Sequence, residues 1–153
     1  VNRIAAITLD ERSVVRRSPE IESERKAAIA DLLHDNCFAL ASGRPGPFAL
    51  HLAIEENRLL IDISGADGST EAIQVGLGPF RRIVKDYYVV CESYYDALRR
   101  QNLSQVEAID AGRRALHDEG SALLAERLAD KAVVDHDTGR RLFTLICVLH
   151  LRA

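Results

Sequence analysis

The sequence predicts an α+β fold: a small antiparallel meander sheet with an N-terminal strand–helix unit, then a helical hairpin and a buried C-terminal helix. Three observations carry this. Strand-like alternation of apolar and polar residues dominates up to about residue 78. Helical spacing of apolar residues dominates beyond it. The chain has 153 residues, 47% hydrophobic and 28% charged, enough to bury a core without metal or disulfide staples. A single domain over 1–153 is expected, with 1–78 mainly sheet-forming and 79–153 mainly helical.

Ala5, Ile7 and Leu9 alternate with Ala6, Thr8 and Asp10, a first strand. Ser18-Pro19-Glu20 opens a helix, because serine caps, proline fits the first turn and acids favour the positive helix end. Ile21, Ala28, Ile29, Leu32 and Leu33 form its apolar face, and Asn36 ends it. Phe48, Leu50, Leu52 and Ile54 alternate with Ala49, His51, Ala53 and Glu55 as a half-buried strand. Turns at Glu56-Asn57 and Asp67-Gly68 separate two more strands, through Leu59, Ile61 and Ile63, then Ile73, Val75 and Leu77.

Pro79 starts a long helix with Phe80, Val84, Tyr87, Cys91, Tyr94 and Leu98 as its seam. Ser104 and Glu107 form a capping box for the next helix, which runs to about Asp130 with Val106, Ile109, Leu116, Leu123, Leu124 and Leu128 as its stripe. Asp137 caps a last helix through Leu142, Ile146 and Leu149. That segment is apolar nearly all round and therefore buried, with a strand as the alternative reading of 138–151.

The net charge of −3 excludes a strongly basic nucleic-acid binder, and no nucleic acid is expected as a partner. Cys37, Cys91 and Cys147 are odd in number, far apart and never in a C-x-x-C pair, which points to reduced thiols and a cytoplasmic setting. The apolar run from Leu142 to Leu151 is too short for a bilayer, so no membrane is expected.

Arginine far outnumbers lysine, which occurs only at 26, 85 and 131, and it forms five doublets, at 16-17, 81-82, 99-100, 113-114 and 140-141. At Val75-Gly-Leu-Gly-Pro-Phe-Arg-Arg-Ile-Val-Lys, two glycines lead into a helix start carrying Arg81, Arg82 and Lys85. That combination suits an anion, although it matches neither the P-loop nor the dinucleotide fingerprint. A solvated arginine face is the plainer reading. Arg82 and Asp86 are spaced to close a pair on the helix itself.

A second cluster is Asp110-Ala-Gly-Arg-Arg-Ala-Leu-His-Asp-Glu-Gly-Ser, in which Arg113, Arg114 and His117 lie within one helical turn. An arginine followed by Leu-His-Asp looks like the phospho-accepting helix of some histidine kinases. A boundary histidine bonded to Asp110 or Glu119 explains the same residues. Arg113 points into the arc of Ile109 and Leu116, so it needs an internal partner or a ligand. Asp135-His136-Asp137 reads as a capping turn, with metal ligation disfavoured for adjacent residues. Tyr87-Tyr88 and Tyr94-Tyr95 read as core with hydroxyls at the rim. No serine or cysteine triad and no paired-carboxylate motif occurs, and no cofactor is implied.

At PFRRIVKDYY (79–88), CESYYDALR (91–99), EAIDAGRRALHDEGS (107–121), DTGRRLFTLICVLH (137–150) and LDERSVVRRSPEIESER (9–25) the chain resembles an uncharacterised family of small alphaproteobacterial proteins. The family has no assigned function, so the resemblance carries over no catalytic residue; it implies a bacterial cytoplasmic setting. The expectation is therefore a small regulatory or protein-interaction domain with an acidic partner, and not an enzyme. The alternative is an anion- or phosphate-handling enzyme or histidine phosphotransfer module using Arg81, Arg82, Lys85, Arg113, Arg114 and His117. Convergence of the 79–85 joint with the 113–117 segment on one concave pocket would favour the alternative.

Overall fold

The computed structural model describes residues 2–10 and 18–150; the Arg16-Arg17 doublet and Leu151 lie outside them. The order is β1 (Ile4–Leu9), α1 (Pro19–His34), β2 (Phe38–Leu40), β3 (Phe48–Glu55), β4 (Arg58–Ser64), β5 (Thr70–Gly76), a short 3₁₀ turn (Gly78–Phe80), α2 (Arg81–Arg99), α3 (Leu103–Leu128), β6 (Ala132–Val134) and α4 (His136–His150). β3, β4 and β5 form the expected antiparallel meander. β1 joins it in parallel beside β3, so the four-stranded sheet is mixed, in the order β1-β3-β4-β5. The α1 crossover makes this parallel pairing topologically available. β2 and β6 form a separate two-stranded antiparallel ladder, neither strand having been expected from the sequence. Three-residue strands carry too little alternation to read.

Local chemistry explains the boundaries. Ser18 Oγ accepts from the Ile21 amide at 3.1 Å, with Pro19 in the first turn of α1. Glu56 and Asn57 both adopt positive φ (51° and 59°) at the β3–β4 hairpin, the backbone twist that tight hairpins favour. In β1 the register shifts between Ile4 and Ala6, so Ile4 is buried and Ala5 exposed. The regular alternation expected from Ala5 is broken by this bulge.

The helical half departs from expectation at its ends. Pro79 sits in the 3₁₀ turn, and the α-helix starts at Arg81. Its buried face is Ile83, Val84, Tyr87, Cys91 and Ala97, whereas Leu98 is 41% exposed and does not belong to the seam. An α-helix advances 3.6 residues per turn, so over nineteen residues Ala97 rotates inward in place of Leu98.

Gln101 takes a positive φ of 56°, and the amides of Gln101 and Asn102 bond back to Leu98 and Ala97, a Schellman closure of α2. The chain turns so tightly that Asn102 caps α3, through Oδ1 and the Gln105 amide at 3.2 Å. The expected Ser104–Glu107 box is thereby displaced into the first turn, where Ser104 Oγ donates to Asn102 Oδ1. Asp135, not Asp137, caps α4, because its Oδ1 reaches the Thr138 amide at 3.0 Å and its carbonyl accepts from Gly139.

The segment that could have been a strand is helical, and residues 142–149 of α4 are all buried. They pack against α1, α3 and β3. The inward residues of the meander, among them Leu50, Leu52, Leu59, Ile61, Ile63, Ile73 and Val75, share one core with Leu145, Ile146 and Leu149. Each such aliphatic side chain contributes roughly 1.5–3 kcal/mol by leaving water. Asn36 ties α1 to β1: it accepts from the Ile4 amide at 2.6 Å and donates to the carbonyls of Ile4 and Leu32. No helix among the described residues is long and apolar enough to cross a membrane.

α3 and α4 approach closely at two glycines. A Cβ on Gly120 would lie 2.5 Å from Phe143 ring carbons, and one on Gly139 would meet Ser121 Oγ. Gly112 faces open space on the same helix as Gly120. Gly120→Ala is therefore expected to destabilise by about 1–3 kcal/mol through overpacking, despite alanine's better propensity. Gly112→Ala should stabilise by up to ~1 kcal/mol. Urea denaturation of the two variants checks this, and equal midpoints would remove the close-approach argument.

Candidate functional site

Sequence reasoning placed six residues at an anion site, and the structure separates them. Arg81, Arg82 and Lys85 are exposed on the first turns of α2. Arg82 pairs with Asp86 at 2.9 Å and with Glu119 of α3. Arg114, also on α3, is exposed and lies 3.3 Å from Asp110. Only Arg113 and His117 line a common cleft, set between α1, α3 and α4 and shared with Arg140, Arg141, Asp31, Asp137 and Thr144. The 79–85 joint contributes nothing to it.

At the back of this cleft, Glu24 of α1 is a buried carboxylate that the sequence analysis missed. Arg113 Nη1 donates to its Oε1 at 2.8 Å, the Tyr87 hydroxyl to Oε1 at 2.8 Å and the Tyr95 hydroxyl to Oε2 at 3.1 Å. Cys91 Sγ lies 3.5 Å from Oε1. Side-chain exposures of 11% for Glu24 and 20% for Arg113 make this an interior pair joining α1 to α3. The Arg113 guanidinium also lies 4.5 Å over the Tyr94 ring and 3.3 Å from Asp110.

Glu24 stands on the buried stripe Ile21-Glu24-Ala28-Leu32, three and four residues from its neighbours. An acid in the apolar arc of one helix and an arginine in that of another are mutual candidates for pairing, and this was the available signal. The tyrosines follow from it. Tyr87 is core, with its hydroxyl turned inward to Glu24 rather than placed at the rim.

Burial sets the local titration behaviour. It raises Tyr87 well above its ordinary range, with Cys91 and Glu24 adding to the effect. Burial pushes the Cys91 thiol and the Tyr95 hydroxyl up to about 12, the Glu24 charge adding in both cases. Burial is the largest single influence on Arg113 and would lower it, but Glu24, Tyr87, Cys91 and Asp110 together outweigh it and hold the guanidinium above its usual range. Cys147 is likewise raised by burial, and Cys37 is exposed; all three thiols are free of disulfides.

His117 bonds neither Asp110 nor Glu119, which are taken by arginines. Its Nε2 lies 3.3 Å from Thr144 Oγ1, and its ring packs 5.1 Å from that of Tyr87. Burial, then the charges of Arg113 and Arg140, depress its pKa to about 4. The imidazole is thus neutral at physiological pH. His136 pairs with Asp118 at 2.9 Å, which also draws Arg140 to 3.6 Å. Among the described residues no group of three histidine, cysteine or carboxylate side chains is arranged to hold a metal.

A family model described as an uncharacterised protein family, UPF0262, matches residues 1–152. A UPF0262 protein of Rhodospirillum rubrum is 59% identical over 147 residues, covering 95% of this chain and 91% of that protein. One from Rhodopseudomonas palustris strain BisB18 is 54% identical over 150 residues, covering 97% and 92%. One from Dinoroseobacter shibae is 51% identical over 159 aligned positions, covering all of both chains. No solved structure matches the chain significantly.

Two outcomes are expected from this geometry. Glu24→Ala should cost about 3 kcal/mol, because it leaves the partly buried Arg113 with Asp110 alone and two tyrosine hydroxyls without their acceptor, whereas Glu24→Leu combined with Arg113→Met should recover most of that. Urea unfolding measures both, and a Glu24→Ala loss below ~1 kcal/mol would mean that the pair is effectively solvated.

The second outcome concerns pH. The folded pKa of His117, about 4, lies below the unfolded value of 6.5, so the unfolded chain takes up this proton first as pH falls. The contribution is fully present above about pH 6.5 and is lost toward pH 4, an effect on the order of 2 kcal/mol. His117→Gln should flatten stability between pH 7 and 4.5 relative to the parent, and parallel curves for the two proteins would contradict the assignment.

Proposed function

The chain belongs to the uncharacterised UPF0262 family, and from its geometry we propose a small cytoplasmic, non-enzymatic regulatory or protein-interaction domain that docks its partner on the open face of the sheet. One observation carries this reading. Two adjacent outward rows of the sheet are built mainly of short side chains, Ala6, Ala49, Ser64 and Thr70 in one and Thr8, His51, Asp62 and Ala72 in the next, beside longer side chains such as Leu60, Gln74 and Arg58. All eight are exposed, while most of the residues that flank them along the strands are buried.

Antiparallel sheets commonly leave one face to water, but that face is usually built from longer polar side chains. Here these two rows are low, with Thr8 Oγ1 bonded to His51 Nδ1 at 2.7 Å across β1 and β3. A flat face of small residues suits an apposed sheet or helix, which can approach closely and exclude water. Free thiols at Cys37, Cys91 and Cys147 agree with a reducing compartment.

The competing phosphotransfer reading needs an exposed, basic imidazole, and His117 is packed against Tyr87 and held neutral. The anion-handling reading needs cations to spare. Arg82, Arg113 and Arg114, like Arg99 and Arg100, are engaged with carboxylates of the same chain. An acidic partner drawn to the doublets would have to compete with those pairs, which moves the proposed docking surface to the sheet.

Ala49→Arg with Ala72→Arg should leave stability within about 0.5 kcal/mol of the parent, since both positions are exposed. In affinity capture from the native bacterium, a partner enriched by the parent should be lost with this variant. Equal recovery of the same proteins by both would remove the sheet from the interface.

A further inference from the structure

The cleft between α1, α3 and α4 encloses about 230 Å³, below the ~300–1,000 Å³ typical for drug-sized ligands. Its charges divide into two sets. At the back, Glu24 and Arg113 satisfy each other, with two tyrosine hydroxyls completing the carboxylate. At the mouth, Asp137 and Arg141 stand four apart on α4, a spacing at which acid and base ordinarily close a pair. They make none, and neither does Asp31 on α1, with any described residue. Arg140 beside them reaches Asp118 only at 3.6 Å. Neutral groups that can bond a ligand, the His117 ring and Thr144 Oγ1, line the same cleft.

Opposite charges that share a concavity without pairing can both be satisfied by one molecule bearing both signs. A simple anion would meet Asp31 and Asp137, and a simple cation would meet Arg140 and Arg141, so each forfeits about as much as it gains. We propose that this cleft binds a small zwitterion of the free amino acid class, its carboxylate taken by Arg141 and Arg140 and its ammonium by Asp31 and Asp137. The planar guanidinium fork suits the carboxylate, and the two aspartates supply acceptors for an ammonium that donates three hydrogen bonds. This site is separate from the sheet face and stands or falls without it.

The test is a panel of the twenty amino acids, each at millimolar concentration, read by thermal shift and then by calorimetry. Acetate and ethylamine at matched ionic strength serve as single-charge probes. At least one amino acid is expected to raise the melting temperature and to bind about tenfold tighter than either probe. Arg141→Gln and Asp137→Asn should each weaken that binding by about tenfold while melting like the parent in the absence of ligand. Should Asp137→Asn disturb the first turn of α4, Asp31→Asn on α1 provides the same test from the opposite wall. Absence of binding by every amino acid, equal binding of acetate, or indifference to all three substitutions each overturns the proposal.

Discussion

α4 has no solvent face over residues 142–149, and the rest of the molecule is arranged around that requirement. A helix apolar on every side must be covered on every side, because each exposed aliphatic residue forfeits roughly 1.5–3 kcal/mol. α1 and α3 supply two walls and the sheet a third. Close covering explains why glycines stand at 120 and 139, where any Cβ would collide with Phe143 or Ser121. The small β2–β6 ladder adds Phe38, Leu40 and Ala132 to the same core, with Phe38 packed edge-on to Phe48.

Covering an apolar helix fixes which elements are neighbours but not how they are aligned, and the Glu24–Arg113 pair adds direction. A buried ion pair is a poor source of net stability, because desolvation offsets much of its Coulomb gain. Its effect lies in discriminating between arrangements: an alternative packing that separates α1 from α3 leaves two interior charges unpaired. Tyr87 and Tyr95 bring α2 into the same network, so one carboxylate links three helices. The depressed pKa of His117 follows from the same packing, since the ring shares its surroundings with Arg113 and Tyr87.

These features divide the molecule by role. The interior polar network is satisfied within the chain and holds the helices. The cleft mouth holds Asp31, Asp137 and Arg141, which form no ion pair with one another or with other described residues, and the outer sheet face offers two rows of small bulk. Of the doublet arginines, Arg113 belongs to that interior network, while Arg82, Arg99, Arg100 and Arg114 pair with carboxylates of the same chain at the surface. Their concentration on a chain of net charge −3 reflects internal pairing more than an electropositive surface.

The sequence by itself determined the α+β class, the three meander strands, the helical hairpin and the burial of α4. Each is encoded by a period of two or 3.6 residues sustained over several turns or pairs, where neighbours in sequence are neighbours on a face. Resemblance in long words such as EAIDAGRRALHDEGS carried the family. Local chemistry also indicated the need of Arg113 for a partner, because a charge in an apolar arc shows in the spacing. Only the tertiary structure decided who that partner is. Glu24 lies 89 residues away, and although its place in the apolar arc of α1 marks it as an interior acid, no local pattern shows that α1 and α3 meet there. The same limit applies to the parallel docking of β1, the separation of Arg81, Arg82 and Lys85 from His117, and the meeting of Asp31 with Arg141 in one cleft. All depend on contacts between elements distant in sequence, whose geometry is set by how α4 is covered rather than by the residues beside them.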